Sequence, residues 1–177
     1  MPSTECISEQ AIRDHIARAI KEVFSTMLGQ HAQLVEPSAG GADPASPPLF
    51  ARQSQHAPYV VGTVGFIGEA NGLIYLYLPE KFARLTTCHM LGLKDSELDG
   101  DGAEVVNDAI GELTNMIVGV FKNGLCDAGY SCKLTIPSIL RGRNFCIEPT
   151  SSAQRYIYCF ESQGHRVVAD ILMKNDD

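Results

Sequence analysis

Two side chains in the middle of the chain have the types and spacing to do chemistry together. Glu112 and Asn115 lie three residues apart in the segment GAEVVNDAIGELTNMIVGVFKNGL. If that segment is helical, their Cβ atoms are about 5–6 Å apart on one face. A carboxylate there can pair with a cation on a partner. A carboxamide beside it can hydrogen-bond to a water and orient it for in-line attack on phosphorus. Such positioning needs no metal or nucleophile of its own if the partner holds the phosphoryl group and its Mg²⁺. Orienting one water supplies about 2–4 kcal/mol, or about 10²–10³-fold in rate.

The rest of the segment fits a helix with two unlike faces. At about 100° per residue, Val105, Val106, Ala109, Ile110, Leu113, Met116, Ile117, Val120 and Phe121 form one broad apolar face, which is expected to be core. The other face carries Glu104, Asn107, Asp108, Gly111, Glu112, Asn115, Gly119 and Lys122. A solvated polar face is the plain reading of such a stripe. An idle face, however, favours Glu, Lys and Gln, whereas each mid-helix glycine costs about 0.8–1 kcal/mol relative to alanine. Gly111 and Gly119 flank the pair, and their missing side chains would let another macromolecule approach the helix backbone. Asn107 and Asp108 are expected to be flanking contacts or plain helix polarity.

Other chemical motifs fail on their surroundings. Gly62, Gly65 and Gly68 form GxxGxxG before a second strand, whereas a dinucleotide site needs GxGxxG between a strand and a helix. These glycines read as marks of a twisted or bulged strand. The acidic stretch from Asp95 to Asp101 places Val106 where a calcium loop needs its bidentate glutamate. No nucleophile elbow and no phosphate-cradling loop is present. Six scattered cysteines without a CxxC pair read as free thiols in a reducing cytoplasm, and the five histidines lack zinc-ligand spacing.

These residues must be held by the elements around them. Apolar spacing predicts a helix over residues 8–28, stopped at Gly29. Five of the nine prolines fall in residues 30–58, which read as a long exposed loop with a short strand at 33–36. Strands at 59–67 and 73–78 flank Asn71-Gly72, a hairpin signal. Pro79 is placed at the first helical position of a helix over 80–91 that ends at Gly92. A loop and the long helix over 102–125 follow, then strands at 130–136, 144–148, 155–161 and 166–173. The last two join through the SQGH turn. Arg141 and Arg143 read as turn residues. The sum is an α+β fold, a mostly antiparallel sheet with helices packed on one face, in one domain over residues 1–177.

Composition narrows the partners. The 177 residues carry 14 Lys+Arg against 21 Asp+Glu, a net charge of −7, so clustered cationic surface for nucleic acid is not expected. No apolar run approaches the ~18 residues of a membrane span, and no signal peptide is visible, so no membrane association and a cytoplasmic site are expected.

Asp108-x3-Glu112-x2-Asn115, followed by Pro137 after a helix end and a strand, resembles the signature of the CheC/CheX/FliY family of phosphatases, which act on the phosphorylated response regulator CheY. DAIGELTNMIVG and LTIPSILRG carry the likeness, which extends over residues 59–173 and includes GFIGEANGLIYL. It is closest to the single-motif branch, CheX. The resemblance implies that Glu112 pairs with the regulator's active-site lysine and that Asn115 places the attacking water. It implies that Mg²⁺ sits on the partner receiver, that this chain binds no cofactor, and that it forms a homodimer. Glu104 to Asn107 is a second ExxN, but Gly100 stands at its Asp/Ser position, so one full motif remains. Two other readings stay open: a non-catalytic receiver-binding module of the same fold, and a small-molecule sensor whose hairpin and proline-rich loop form a pocket.

Overall fold

The computed structural model describes residues 7–35, 57–98, 102–143 and 147–174. The proline-rich stretch, apart from its two ends, lies outside them. Helix α1 (Glu9–Leu28) is capped by Ser8, whose hydroxyl accepts from the Ala11 amide, and closes at Gly29 in the left-handed region, φ 57°. Strand β1 (Gln33–Val35) is followed after the undescribed stretch by β2 (Tyr59–Gly68) and β3 (Gly72–Pro79). Helix α2 is Glu80–Leu91. A 3₁₀ turn (Asp95–Leu98) leads toward helix α3 (Gly102–Asp127). Strands β4 (Cys132–Leu134), β5 (Ser138–Gly142), β6 (Ala153–Ser162) and β7 (His165–Lys174) complete the chain.

The described strands form one antiparallel sheet in the order β1-β6-β7-β3-β2-β4, with β5 also paired to β2. The helices pack on one face. Ile16, Ile20 and Phe24 of α1, Phe82 of α2 and Ile110, Ile117 and Phe121 of α3 are fully buried with Ile74 and Leu76 of β3. Each of those helices presents its apolar stripe to the sheet, and the exchange of water for apolar contact holds the two layers together. The other face carries a smaller cluster around Val61, Tyr77 and Val168. There Asp170 is fully buried and held by an Arg155 fork at 2.9 and 2.7 Å. That ionic pairing offsets the cost of burying the carboxylate.

Local signals placed most elements. The β6–β7 turn is a two-residue loop with Gln163 and Gly164 at φ 50° and 74°, the mirror-image turn that suits strand twist. The Asn71 carboxamide bonds both the amide and the carbonyl of Gly68, fixing the β2–β3 turn. Pro79 stands one residue earlier than expected: it is the N-cap of α2 and still pairs with Tyr59 in the sheet. The strand expected at 144–148 is not formed at residues 147 and 148, and residues 144–146 lie outside the described set. The strand runs instead at Ser138–Gly142, so Arg141 is a strand residue and not part of a turn. Arg143 follows the strand as a bend.

His15 joins the two long helices. Its ring meets Phe121 edge-on, centroids 6.4 Å apart, and a Cβ added at Gly124 would lie 2.4 Å from its Nδ1. Burial, reinforced by Arg18, lowers its pKa below the usual 6.5. The unfolded chain therefore binds the proton more readily. The stability from neutral His15 is complete above pH 6.5 and is lost as the pH falls toward the lowered folded value. Urea denaturation between pH 7.5 and 5.5 should show this loss, and His15→Gln should flatten the slope.

Candidate functional site

Helix α3 lies against the sheet along a row that decides where the site can be. Residues 107, 111, 115 and 119 repeat every four positions and so form one line along the helix. A Cβ on Gly111 would meet the Ile139 side chain at 3.9 Å, and one on Gly119 would meet Leu134 at 3.9 Å. The edge formed by β4 and β5 therefore runs beside this row, antiparallel to α3. Gly111 is buried. Each glycine thus has one side-chain atom of the chain's own edge strands at ordinary contact distance, and Gly119 is half-exposed.

Asn107 is also engaged within the chain. Its Oδ1 accepts from Arg141 Nε, and the same guanidinium reaches Glu80 Oε1 at 3.0 Å and the Ala103 carbonyl at 3.1 Å. Arg141 thus ties β5 to the starts of α2 and α3. The planar guanidinium serves these three acceptors from three separate nitrogens, a spread that a lysine's single ammonium cannot match. Asn107, expected as a flanking contact or plain helix polarity, is thus also a partner of Arg141 within the chain. The sequence held a signal for Arg141, the alternation of Ile139 and Arg141 toward one side, but Pro137 and Gly142 masked it as a turn.

What remains exposed is narrower. Asp108 and Glu112 are exposed and Asn115 is half-buried. Among the described residues, no side-chain hydrogen bond or ion pair engages Asp108, Glu112 or Asn115. A carboxylate and a carboxamide thus stand free, i and i+3, on a rigid 26-residue helix. Rigidity comes from below. Thr114 is fully buried, its hydroxyl bonds the Ile110 carbonyl at 2.7 Å, and Gly62 of β2 lies directly under it. A Cβ at Gly62 would sit 1.9 Å from Thr114 Oγ1. Gly62 is therefore a close-approach glycine and not only a mark of strand twist. Gly68, likewise, has a backbone carbonyl, that of Ser131, 2.3 Å from where its Cβ would be.

Pro137 has a backbone explanation. Partners on β2 and β4 sum to 200, as in Phe66 with Leu134, while those on β2 and β5 sum to 201, as in Thr63 with Ser138. One extra residue is thus present between the two edge strands. At this bulge the Gly65 amide donates to the Thr135 hydroxyl at 2.8 Å, and the Thr135 amide donates to the Gly65 carbonyl at 2.8 Å. Proline is tolerated at a bulge because no ladder donor is needed there.

No cluster of three metal-ligating side chains occurs among the described residues. A cavity of about 1100 Å³ opens between α1 and the β1–β6 edge, lined by Arg18, Lys21 and Glu161 among others. Glu112 and Asn115 do not line it. The pair stands on open helix surface, the geometry for meeting a macromolecule and not for enclosing a small molecule.

The family model described as chemotaxis phosphatase CheX matches residues 60–161, more than half of the chain. The chain belongs to the CheX family. The matched span holds the α3 row, the bulge and Pro137. Solved structures share the fold. The CheX chemotaxis protein of Desulfovibrio desulfuricans aligns with a TM-score of 0.71 at 22% identity, over 92% of this chain and 99% of that one. A CheC-like superfamily protein of Shewanella sp. PV-4 aligns with a TM-score of 0.72 at 24% identity, over 95% and 100%. The CheX–CheY–BeF3–Mg²⁺ complex of Borrelia burgdorferi gives 0.70 at 18% identity, over 93% and 98%. No curated protein sequence matches. Among the described residues, no helix is long and apolar enough to cross a membrane.

Proposed function

We propose that this protein hydrolyses the aspartyl phosphate of a CheY-like receiver domain, with Glu112 and Asn115 as the working pair. The observation that carries the reading is the unengaged carboxylate and carboxamide on the outer side of α3, within the span that matches the phosphatase family. The solved relative that carries CheY in its structure supports the class of partner.

In this reading Glu112 forms an ion pair with the receiver's active-site lysine and so docks the helix over the phosphorylated aspartate. The Asn115 carbonyl oxygen accepts a hydrogen bond from a water and turns its lone pair toward phosphorus. Water oxygen bonds to phosphorus, the phosphorus–oxygen bond to the aspartate breaks, and the aspartate carboxylate and inorganic phosphate are released. Mg²⁺ on the receiver supplies the charge neutralisation. Asp108, one turn before Glu112, adds negative charge toward the same cationic partner. Gly119, half-exposed on the same row, leaves the helix backbone open to the partner's approach, as does Gly111 at its more buried position. Function as a homodimer in the cytoplasm completes the reading.

The test is phosphate release from a Mg²⁺-loaded, phosphorylated CheY-like receiver of the same organism, with and without this protein. Acceleration above the receiver's own rate supports the reading. No acceleration with a receiver that binds would make the helix a docking surface. Glu112→Ala should raise KM and lower kcat together, because the ion pair serves docking as well as orientation.

A further inference from the structure

The bulge between β4 and β5 puts one residue in an unusual position. Ile136 is 87% exposed, the most exposed of the large apolar side chains in the described residues; Ile67 is next at 62%. It has no place in the strand ladder. The Gly65 amide is taken by the Thr135 hydroxyl, and the next residue, Pro137, has no donor. A β-branched apolar side chain is thus held out into water by a fixed backbone.

Its place along the molecule follows from two contacts. Leu134 stands beside Gly119 and Ile139 beside Gly111. Eight helical residues span about 12 Å, whereas five extended residues span about 16 Å. The excess is about one residue, which is the bulge. Asn115 is halfway along the helix segment, and residues 136 and 137 are halfway along the strand segment. The two midpoints are level. In the β4 register Leu134 faces α3, Thr135 meets Gly65 on the helix-free side, and position 136 falls opposite Val64, whose side chain is buried on the α3 side; the extra residue enters before β5 resumes at Ser138.

We propose that Ile136 is an apolar anchor for the receiver domain that Glu112 and Asn115 address, packing into an apolar patch beside the phosphorylated aspartate. The inference rests on the receiver-directed reading of those two residues and adds a second wall to the site. An ion pair at Glu112 alone would leave the helix free to pivot about one contact. A second, apolar contact level with Asn115 stops that pivot and fixes the angle at which the water is presented. Ile136 touches no reacting atom and acts through binding.

The assay compares wild type, Ile136→Ser and Ile136→Leu in two measurements on the full chain. One is the Kd for the receiver activated with beryllofluoride and Mg²⁺. The other is kcat and KM for phosphate release from the phosphorylated receiver. Ile136→Ser should weaken Kd and raise KM about tenfold or more, with kcat at saturation within about twofold of wild type. Ile136→Leu should restore both. The melting temperature should not move, since the side chain is in solvent.

An unchanged Kd and KM in Ile136→Ser overturns the inference while the phosphatase reading stands. Weakened binding by Ile136→Ser in a protein that gives no turnover supports the anchor and overturns the phosphatase reading. Failure of wild type to bind the activated receiver overturns both.

Discussion

Asn115→Ala should lower kcat for receiver dephosphorylation by about 10²–10³-fold while leaving Kd for the activated receiver within a few-fold of wild type. The half-buried carboxamide has no partner among the described residues, so its removal unsatisfies nothing inside this protein. The loss falls on the transition state. A water held by Asn115 enters the reaction already oriented, and without it the same water must be found and aligned by chance. That difference is the entropic and reorganisational term of about 2–4 kcal/mol. An effect on kcat without an effect on binding is the pattern of an interaction made only in the transition state. Asn115→Gln should not rescue, because the added methylene moves the carbonyl oxygen outward by more than 1 Å. Stopped-flow phosphate release at saturating receiver measures the effect directly. Wild-type kcat in Asn115→Ala would remove water positioning from the mechanism.

Gly62→Ala should cost about 1–3 kcal/mol or somewhat more of folding stability, a large effect for one methyl group. The new Cβ would stand 1.9 Å from Thr114 Oγ1 and 2.9 Å from Thr114 Cβ. Thr114 cannot swing aside readily. It is β-branched, fully buried, and its hydroxyl is bonded back to Ile110. The clash therefore transfers to the backbone, and α3 must lift from β2. Thr114 is next to Asn115, so the folded variant should also turn over more slowly. Thr114→Ala removes the nearest clashing atom and should restore part of the loss. In a double-mutant cycle by urea denaturation, the coupling between the two positions should exceed about 1 kcal/mol. Additive effects would mean that the two residues do not meet.

The pairing of Arg141 with Asn107, Glu80 and the Ala103 carbonyl explains why α3 is so firmly placed at its start as well as at its centre. Three fixed points along the helix (Arg141 at residue 107, Gly62 under residue 114, His15 over residue 124) leave its outer face still. The positions available for work are those that this internal packing leaves over. Asp108, Glu112 and Asn115 are among them.

The sequence alone determined the parts of this protein that local forces control. The α1 and α2 boundaries follow from a serine cap and from glycines that can enter the left-handed region at residues 29 and 92. The hairpins follow from Asn71-Gly72 and Gln163-Gly164. The apolar face of α3 follows from 3.6-residue periodicity, and the Glu112–Asn115 pair follows from spacing on that helix. Tertiary structure decided what lies opposite each face. The register of β4 and β5 on β2 joins residues about 70 apart, and a one-residue slip leaves no trace in local composition. It put a strand at Ser138–Gly142 and turned Arg141 from a turn residue into a clamp. It also placed Ile139 and Leu134 against glycines that the sequence left open to any neighbour. A glycine states only that space is needed; what fills the space is a property of the folded chain.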